Sequence, residues 1–287
     1  VYVSVCMTTY NQEKYIGEAI ESVLSQQTNF PVQLVIGEDH STDQTLAICQ
    51  HFASLYPNIL LYRRNDNLGL ARNLALTWAQ CKGDYIAILE GDDLWCSRSK
   101  LQKQVDFLDS HPEYSACFTL ANLRDEDRRN NRHRYFPYRT PKQNTLRISD
   151  IIRHNLIANC SVMYRAGLVS RIPDWMMGMG CCDIALHCCH AVHGPVGYIP
   201  ELMSTYRLHS GSSFESKSLK EKVAINVPVY HALSLHLPSP YDKQALQTLL
   251  LMNLGLSLWN LWQLPLRYKI SEILLPLEEL EHLWRVR

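Results

Sequence analysis

The chain has no surplus of either charge: 28 lysines and arginines stand against 28 aspartates and glutamates over 287 residues. A general nucleic-acid binder carries a basic excess, so that class is set aside. No uninterrupted apolar run is long enough to span a bilayer. The longest apolar stretch, 246–264, is broken by Gln247, Asn253, Asn260 and Gln263, which excludes a spanning helix there and leaves an interfacial one open. The opening residues VYVSVCMTTY lack a basic segment and read as a strand rather than a secretory leader. The lack of an initiator methionine raises the expectation of a trimmed chain or of a piece of a longer one. There is no internal repeat and no low-complexity tract. The ten cysteines lack the spacing of a small disulfide scaffold, and several (Cys6, Cys49, Cys117) fall inside apparent strands or helices. Free thiols imply a reducing, cytoplasmic setting.

What is present is a rhythm. With 46% hydrophobic and 20% charged residues, the chain can fill the core of one large domain, or of one domain with a small appendage. Residues 1–6, 32–37, 59–62, 85–89 and 114–120 read as strands. Helical spacing separates them: 13–25, then 42–52 with Ser41 or Thr42 as N-cap, then 70–79, then a helix marked by Leu101, Val105, Phe107 and Leu108. This alternation predicts an α/β fold with a mostly parallel sheet covered by helices on both faces. TTYN (8–11), EDHSTD (38–43), NDNLGLARN (65–73) and EGDD (90–93) each follow a strand, so all four polar clusters fall at one edge of the sheet. Ligands bind at that edge in open α/β sheets. The expectation is a single polar cleft containing at least Asp39, Asp92 and Asp93.

Residues 121–147 break the rhythm with eight lysines and arginines, among them Arg128, Arg129, Arg132, Arg134 and Arg139, against three acids. They read as a long loop, either a solvated excursion or a cover over the cleft that meets phosphate or acceptor. A short helix near Asp150, strands at 160–164 and 196–199 and a helix over 183–192 follow. Beyond YRLHSGSS (206–213) the pattern is helical, with helices expected over 220–237, 243–261 and 268–284. The expected division is therefore residues 1–213 and a C-terminal helical appendage, 214–287. The Trp259, Trp262, Leu258 and Leu261 side chains suit a core, a contact between copies of the chain, or peripheral contact with a membrane carrying a lipid-linked acceptor.

VSVCMTTYNQEKYIGEAIESVLSQ, GEDHSTDQT, NLGLARN, DYIAILEGDDLW and YRLHSGSS occur in the order and spacing of the family 2 glycosyltransferases. The likeness covers roughly residues 1–213. It implies the GT-A fold and an inverting transfer from a nucleotide-sugar donor, with UDP the favoured nucleotide and Mg2+ or Mn2+ as cofactor. The acceptor would be a glycan, a lipid-linked molecule or a protein, in bacterial surface glycan or glycoprotein assembly. By the same resemblance Thr8 and Tyr10 line the nucleobase pocket, Asp39 accepts from the base with Glu38 beside it, and Arg72 approaches the diphosphate. Asp92 and Asp93 resemble the metal and ribose acids, with Asp93 the leading metal ligand, Glu90 takes the first place of the DxD element, and His209 resembles a histidine near the metal and diphosphate. Arg207 is a phosphate contact in this reading, and Asp183 fits the base that takes the acceptor proton. Cys182 stands where the family usually has Glu, which leaves a catalytically impaired nucleotide-sugar binding module as one alternative. A nucleotidyltransferase is the other, although TTYNQEKY is not the Gly-rich basic loop it would need. The CCDIALHCCH run (181–190) matches no common structural zinc spacing.

Overall fold

The computed structural model describes residues 2–127, 134–138, 140–211 and 217–263, with the backbone alone for Leu219 and for 253–263. The helix expected over 268–284, the four arginines at 128, 129, 132 and 139, and the side chains of Leu258, Trp259, Leu261 and Trp262 lie outside the described residues. The elements are β1 (Val3–Thr9), α1 (Ile16–Leu24), β2 (Val32–Glu38), α2 (Thr45–Leu55), β3 (Ile59–Arg63), α3 (Leu70–Trp78), β4 (Tyr85–Ile88), β5 (Leu94–Trp95) and α4 (Lys100–Ser110). After them come β6 (Ala116–Asp125), β7 (Arg134–Phe136), β8 (Thr145–Leu146), α5 (Ile148–Arg153), β9 (Val162–Arg165), α6 (Asp183–Ala191), β10 (Val196–Leu208), α7 (Leu219–His236) and α8 (Tyr241–Gln263).

The strands form one sheet in the order β3-β2-β1-β4-β9-β6-β10-β5, with β7 beside β6 and β8 beside β10. β1 to β4 are parallel to one another; β9 runs against β4 and β6, so the sheet is mixed. Side chains alternate between its two faces, as the two-residue period of a strand requires. Val3, Val5 and Met7 of β1 pack with Ile16 and Ile20 of α1, Cys49 of α2 and Leu101 and Val105 of α4. Cys6, one residue out of phase, joins the opposite core with Trp78 of α3, Ile151 of α5 and Leu186 of α6. Val229, Tyr230 and Leu233 of α7 and Ala245 and Leu249 of α8 belong to that same core, so these two helices complete one face of the sheet. No helix among the described residues is long and apolar enough to cross a membrane.

The chain builds outward from β1 through β2 to β3, then returns to place β4 on the other side of β1. That reversal opens a crevice beyond the carboxyl ends of β1 and β4. Some boundaries differ from the sequence expectation for physical reasons. α2 begins at Thr45, because Ser41 and Thr42 are tied to Asn11 and cannot cap; the Asn11 amide donates to Ser41 Oγ (3.0 Å), the Thr42 amide donates to Asn11 Oδ1 (2.8 Å), and Asp43 Oδ1 accepts the Thr45 amide (2.9 Å) instead. The segment 121–147 is not all loop. β6 runs on to Asp125 because β10 pairs with it as far as Leu208, and β7 returns against it. The strand expected over 196–199 thus continues, through register shifts near Leu202, to the YRLH block.

The histidines of CCDIALHCCH are core residues. The His187 ring lies 2.5 Å through Nδ1 from the Tyr164 hydroxyl, and His190 stacks on the Tyr164 ring at 4.1 Å. Among the described residues no group of three or more His, Cys, Asp or Glu could hold a metal. Burial pushes the His187 pKa down from 6.5 to about 4 and that of His190 to about 3. Both are neutral in the fold and protonated in the unfolded chain below pH 6.5, so their contribution makes stability fall as pH drops through that window towards 4. Urea midpoints at pH 7.5 and 5.0 test this. The wild type should lose more between the two than a His187→Gln/His190→Gln variant, and equal losses would contradict the assignment.

Candidate active site

The acidic turn grows directly from the β1–β4 pairing. The Leu89 amide donates to the Cys6 carbonyl (3.2 Å) and the Gly91 amide to the Thr8 carbonyl (3.0 Å), which holds the turn against the end of β1. Position 91 has no room for a side chain: a Cβ there would lie 2.5 Å from Gln12 Oε1 and 2.7 Å from Thr9 Oγ1. The three carboxylates of the turn then separate. Asp93 faces inward and is buried; its Oδ1 accepts the Arg207 amide (2.8 Å), while Oδ2 has no partner. Burial, then the charges of Asp92 and Glu90, push its pKa well above the carboxylate range. Asp92 faces the cleft with Oδ2 3.1 Å from His209 Nε2. Glu90 accepts a hydrogen bond from Asn159 Nδ2, and its Oε2 is buried without a partner. Burial raises the Glu90 pKa to about 7, with Asp92 and Asp183 adding to the rise.

Arg207 sits at the end of β10 with its side chain 1% exposed. Its Nε donates to Glu126 Oε1 (3.0 Å), Nη1 donates to the Asp92 carbonyl (3.0 Å), and Nη2 pairs with Glu18. The guanidinium lies over the Tyr15 ring at 5.1 Å, and that ring meets the His209 imidazole at 4.6 Å. Each guanidinium nitrogen is thus engaged within the protein. The geometry is that of a clamp between β10, α1 and the acidic turn.

Across the cleft, Asp183 opens α6. Its Oδ2 accepts from Asn155 Nδ2 (2.8 Å), and its Oδ1 accepts the Ile184 amide (2.8 Å) and the Cys181 thiol (2.7 Å). Asp183, Asp92, Asp93, Glu90, Arg207 and His209 all line one cleft of ≈ 980 Å³. Thr8 and Tyr10 line it too, and Tyr10, 45% exposed, stands at its lip rather than in a core. Asp39 lines it, buried, with its two oxygens accepting the amides of Leu68 and Gly69 (2.9 Å each), so it also fastens the β3–α3 loop. Glu38 and Arg72 are not among the lining residues. Glu38 is buried at the end of β2, its Oε1 accepting the Ser41 amide (2.7 Å), and Arg72 is exposed on α3. Of the five arginines named between β6 and β8, Arg134 is described and lines the cleft. Sequence reasoning missed Asn155, Asn159 and, on α7, Asn226, all of which line it. Isolated asparagines in irregular segments and on a helix carry no spacing signal; only the fold reveals that they converge.

A mixed sheet with a polar crevice beyond the carboxyl ends of its central parallel strands is the GT-A arrangement, and solved glycosyltransferase structures share it. The solved structure of S. aureus TarS 1-349 in complex with UDP-GlcNAc superposes with a TM-score of 0.67 at 18% identity, covering 95% of this chain and 77% of that one. The mannosyltransferase PcManGT from Pyrobaculum calidifontis, in complex with GDP-Man and Mn2+, gives 0.63 at 16% identity over 99% of this chain and 81% of that one. The family model "Glycosyl transferase family 2" matches residues 4–169. The chain belongs to the family 2 glycosyltransferases. Its relatives include the uncharacterized protein Rv1520 of Mycobacterium tuberculosis, 36% identical over 217 residues; the match spans 74% of this chain and 60% of the mycobacterial protein. The minor teichoic acid biosynthesis protein GgaB of Bacillus subtilis is 40% identical over 111 residues, 38% of this chain and 12% of that protein.

Replacing Arg207 by Met removes the cation between Glu126 and Glu18 and the donor to the Asp92 carbonyl. The expected result is a loss of about 2 kcal/mol in urea unfolding without any ligand, because the guanidinium and its hydrogen bonds are buried while Glu18, 58% exposed, is left solvated. Unchanged stability with lost nucleotide binding would return Arg207 to the phosphate-contact role.

Proposed function

We propose that this glycosyltransferase moves a sugar from a nucleotide-sugar donor, UDP-linked by preference, to an acceptor hydroxyl in a single inverting displacement. The observation that carries the reading is the placement of two chemistries in one cleft: the Asp92–His209 pair at the end of β4 and Asp183 at the start of α6, with Glu90 near enough to feel both acids. Asp183 takes the proton of the acceptor O–H as that oxygen bonds to the anomeric carbon. The bond from that carbon to the diphosphate oxygen breaks, its electron pair leaving with the nucleoside diphosphate. Asn155 and the helix N-terminus hold the Asp183 carboxylate in the cleft. Thr8 and Tyr10 lie where a nucleobase enters beside β1, the tyrosine ring offering it a flat apolar face.

The residues present fit a divalent cation. Asp92 Oδ2 and His209 Nε2 stand 3.1 Å apart on the cleft wall, a carboxylate oxygen and an imidazole nitrogen that would hold such an ion. Mg2+ or Mn2+ held there would neutralise the charge that gathers on the leaving diphosphate. A hard cation of this kind is usually bound by one or two protein ligands plus phosphate and water, so a pair suffices. Asp93, buried and bonded to the Arg207 amide, is assigned to holding the turn, which shifts the leading metal role from Asp93 to Asp92. The names of the Bacillus relatives support an acceptor in cell-surface polymer assembly.

Two variants test this reading. Asp92→Asn should remove the Mn2+-dependent part of the thermal shift given by UDP, GDP, UDP-N-acetylglucosamine or GDP-mannose. Asp183→Asn should keep that shift and lose at least about a hundredfold in transfer rate. Full activity in chelator contradicts the metal role, and wild-type transfer by Asp183→Asn contradicts the base. Donor binding without turnover in the wild type would favour a binding module.

A further inference from the structure

Asp183 is reached by a donor from outside its own helix. α5 ends at Arg153, where the His154 amide closes on the Asp150 carbonyl (2.9 Å). Leu156 and Ile157 are buried in the core shared with α6. Just ahead of them, Asn155 is half-buried and lines the cleft. Its Oδ1 accepts the Ile157 amide at 3.1 Å, the two-residue reach of an Asx turn. Its Nδ2 donates to Asp183 Oδ2 at 2.8 Å. The two contacts fix which way the amide faces, since the flipped form would set a carbonyl against a carboxylate and an NH2 against an N–H.

The other contacts of Asp183 hold it less firmly. The Ile184 amide is the next residue of the same helix and turns with it, and the Cys181 thiol is a weak donor two residues away. Asn155 supplies the hydrogen bond that arrives from a separate element, itself pinned by a buried segment. Four residues on, Asn159 donates to Glu90 on the opposite wall. The segment between α5 and β9 therefore holds one carboxylate on each side of the cleft.

We propose that Asn155 is the positioning residue for the Asp183 carboxylate: it occupies Oδ2 and so sets the carboxylate plane that meets the acceptor hydroxyl. The proposal rests on the reading of Asp183 as the base. Asn155→Asp is the discriminating variant. It is isosteric and keeps the acceptor for the Ile157 amide, so a purely structural role survives it, but it replaces the donor to Asp183 with a like charge. The assay is nucleoside diphosphate release from UDP-N-acetylglucosamine, UDP-glucose, UDP-galactose and GDP-mannose with Mn2+, in wild type, Asn155→Asp, Asn155→Ala, Asp183→Asn and the Asn155→Ala/Asp183→Asn double variant.

The expected result is a kcat lower by roughly tenfold to a hundredfold in both Asn155 variants, the worth of one hydrogen bond to a charged group. The donor KM should stay within about twofold, as for an interaction absent from donor binding. Asn155→Ala should cost nothing further once Asp183 is Asn, because a residue acting through another loses its effect with it. Wild-type kcat in both Asn155 variants alongside an inactive Asp183→Asn overturns this proposal and leaves the base assignment standing. Additive losses in the double variant also overturn it, in favour of a structural role. An active Asp183→Asn, or a wild type silent on all four donors, overturns the reading beneath it.

Discussion

One buried cation organises the site. Arg207 leaves the end of the long β10 strand and fans its guanidinium over Glu126, Glu18 and the carbonyl of Asp92, while its own amide bonds to Asp93. Four attachments from one residue tie three separate elements to the acidic turn. The turn alone would be unstable, since three carboxylates in four residues repel one another and two of them are largely removed from water. The clamp lets them diverge: Asp93 inward to the β10 backbone, Asp92 outward to His209, Glu90 sideways to Asn159. Because Arg207 and His209 share one strand end, the same pairing of β10 with β6 that positions the clamp also delivers the histidine to Asp92. The Tyr15 ring, in contact with both, carries α1 into the arrangement.

Much of this was legible in the sequence. The two-residue and 3.6-residue periods locate β1 to β4 and α1 to α4 to within a few residues, because each is an uninterrupted local pattern with one buried face. The shared edge of the polar clusters follows from that alternation, and it places Thr8, Asp39, Asp92 and Asp93 in one crevice. Roles within the crevice were less legible, because they depend on which way a side chain turns after a strand ends. Asp92 and Asp93 are adjacent, chemically identical and both border the cleft, yet Asp92 reaches His209 while Asp93 is buried against the Arg207 amide. The partners of Arg207, Glu18 and Glu126, lie 189 and 81 residues away in sequence, beyond any local signal, so its place at the centre of an ion-pair cluster was not legible. The extent of β10 was missed for a related reason: Pro200 and Glu201 interrupt its apolar pattern, and the strand persists because β6 continues beside it.

The two walls of the cleft are built differently. The wall bearing Asp92 and His209 is sheet-derived, anchored in β1, β4 and β10. The wall bearing Asp183 is made of α6, the segment leading from α5, and α7, whose Asn226 lines the same space. α7 and α8 share the hydrophobic core of α5 and α6, so whatever stabilises those helices also fixes where Asp183 stands relative to the opposite wall. This partition suits a transferase that holds the charged end of its donor against a fixed surface and presents the hydroxyl from a second, separately packed one.

The central claim is that Asp183 and the Asp92–His209 pair act from opposite sides of one anomeric carbon in a single displacement. Its most direct test is the configuration of the first-formed product, followed by proton NMR before mutarotation while the enzyme hydrolyses an α-linked donor such as UDP-N-acetylglucosamine. The account predicts that the β-anomer of the released sugar appears first and the α-anomer only as equilibrium is reached. Initial release of the α-anomer would mean retention, two displacements or a front-face attack, and would contradict it.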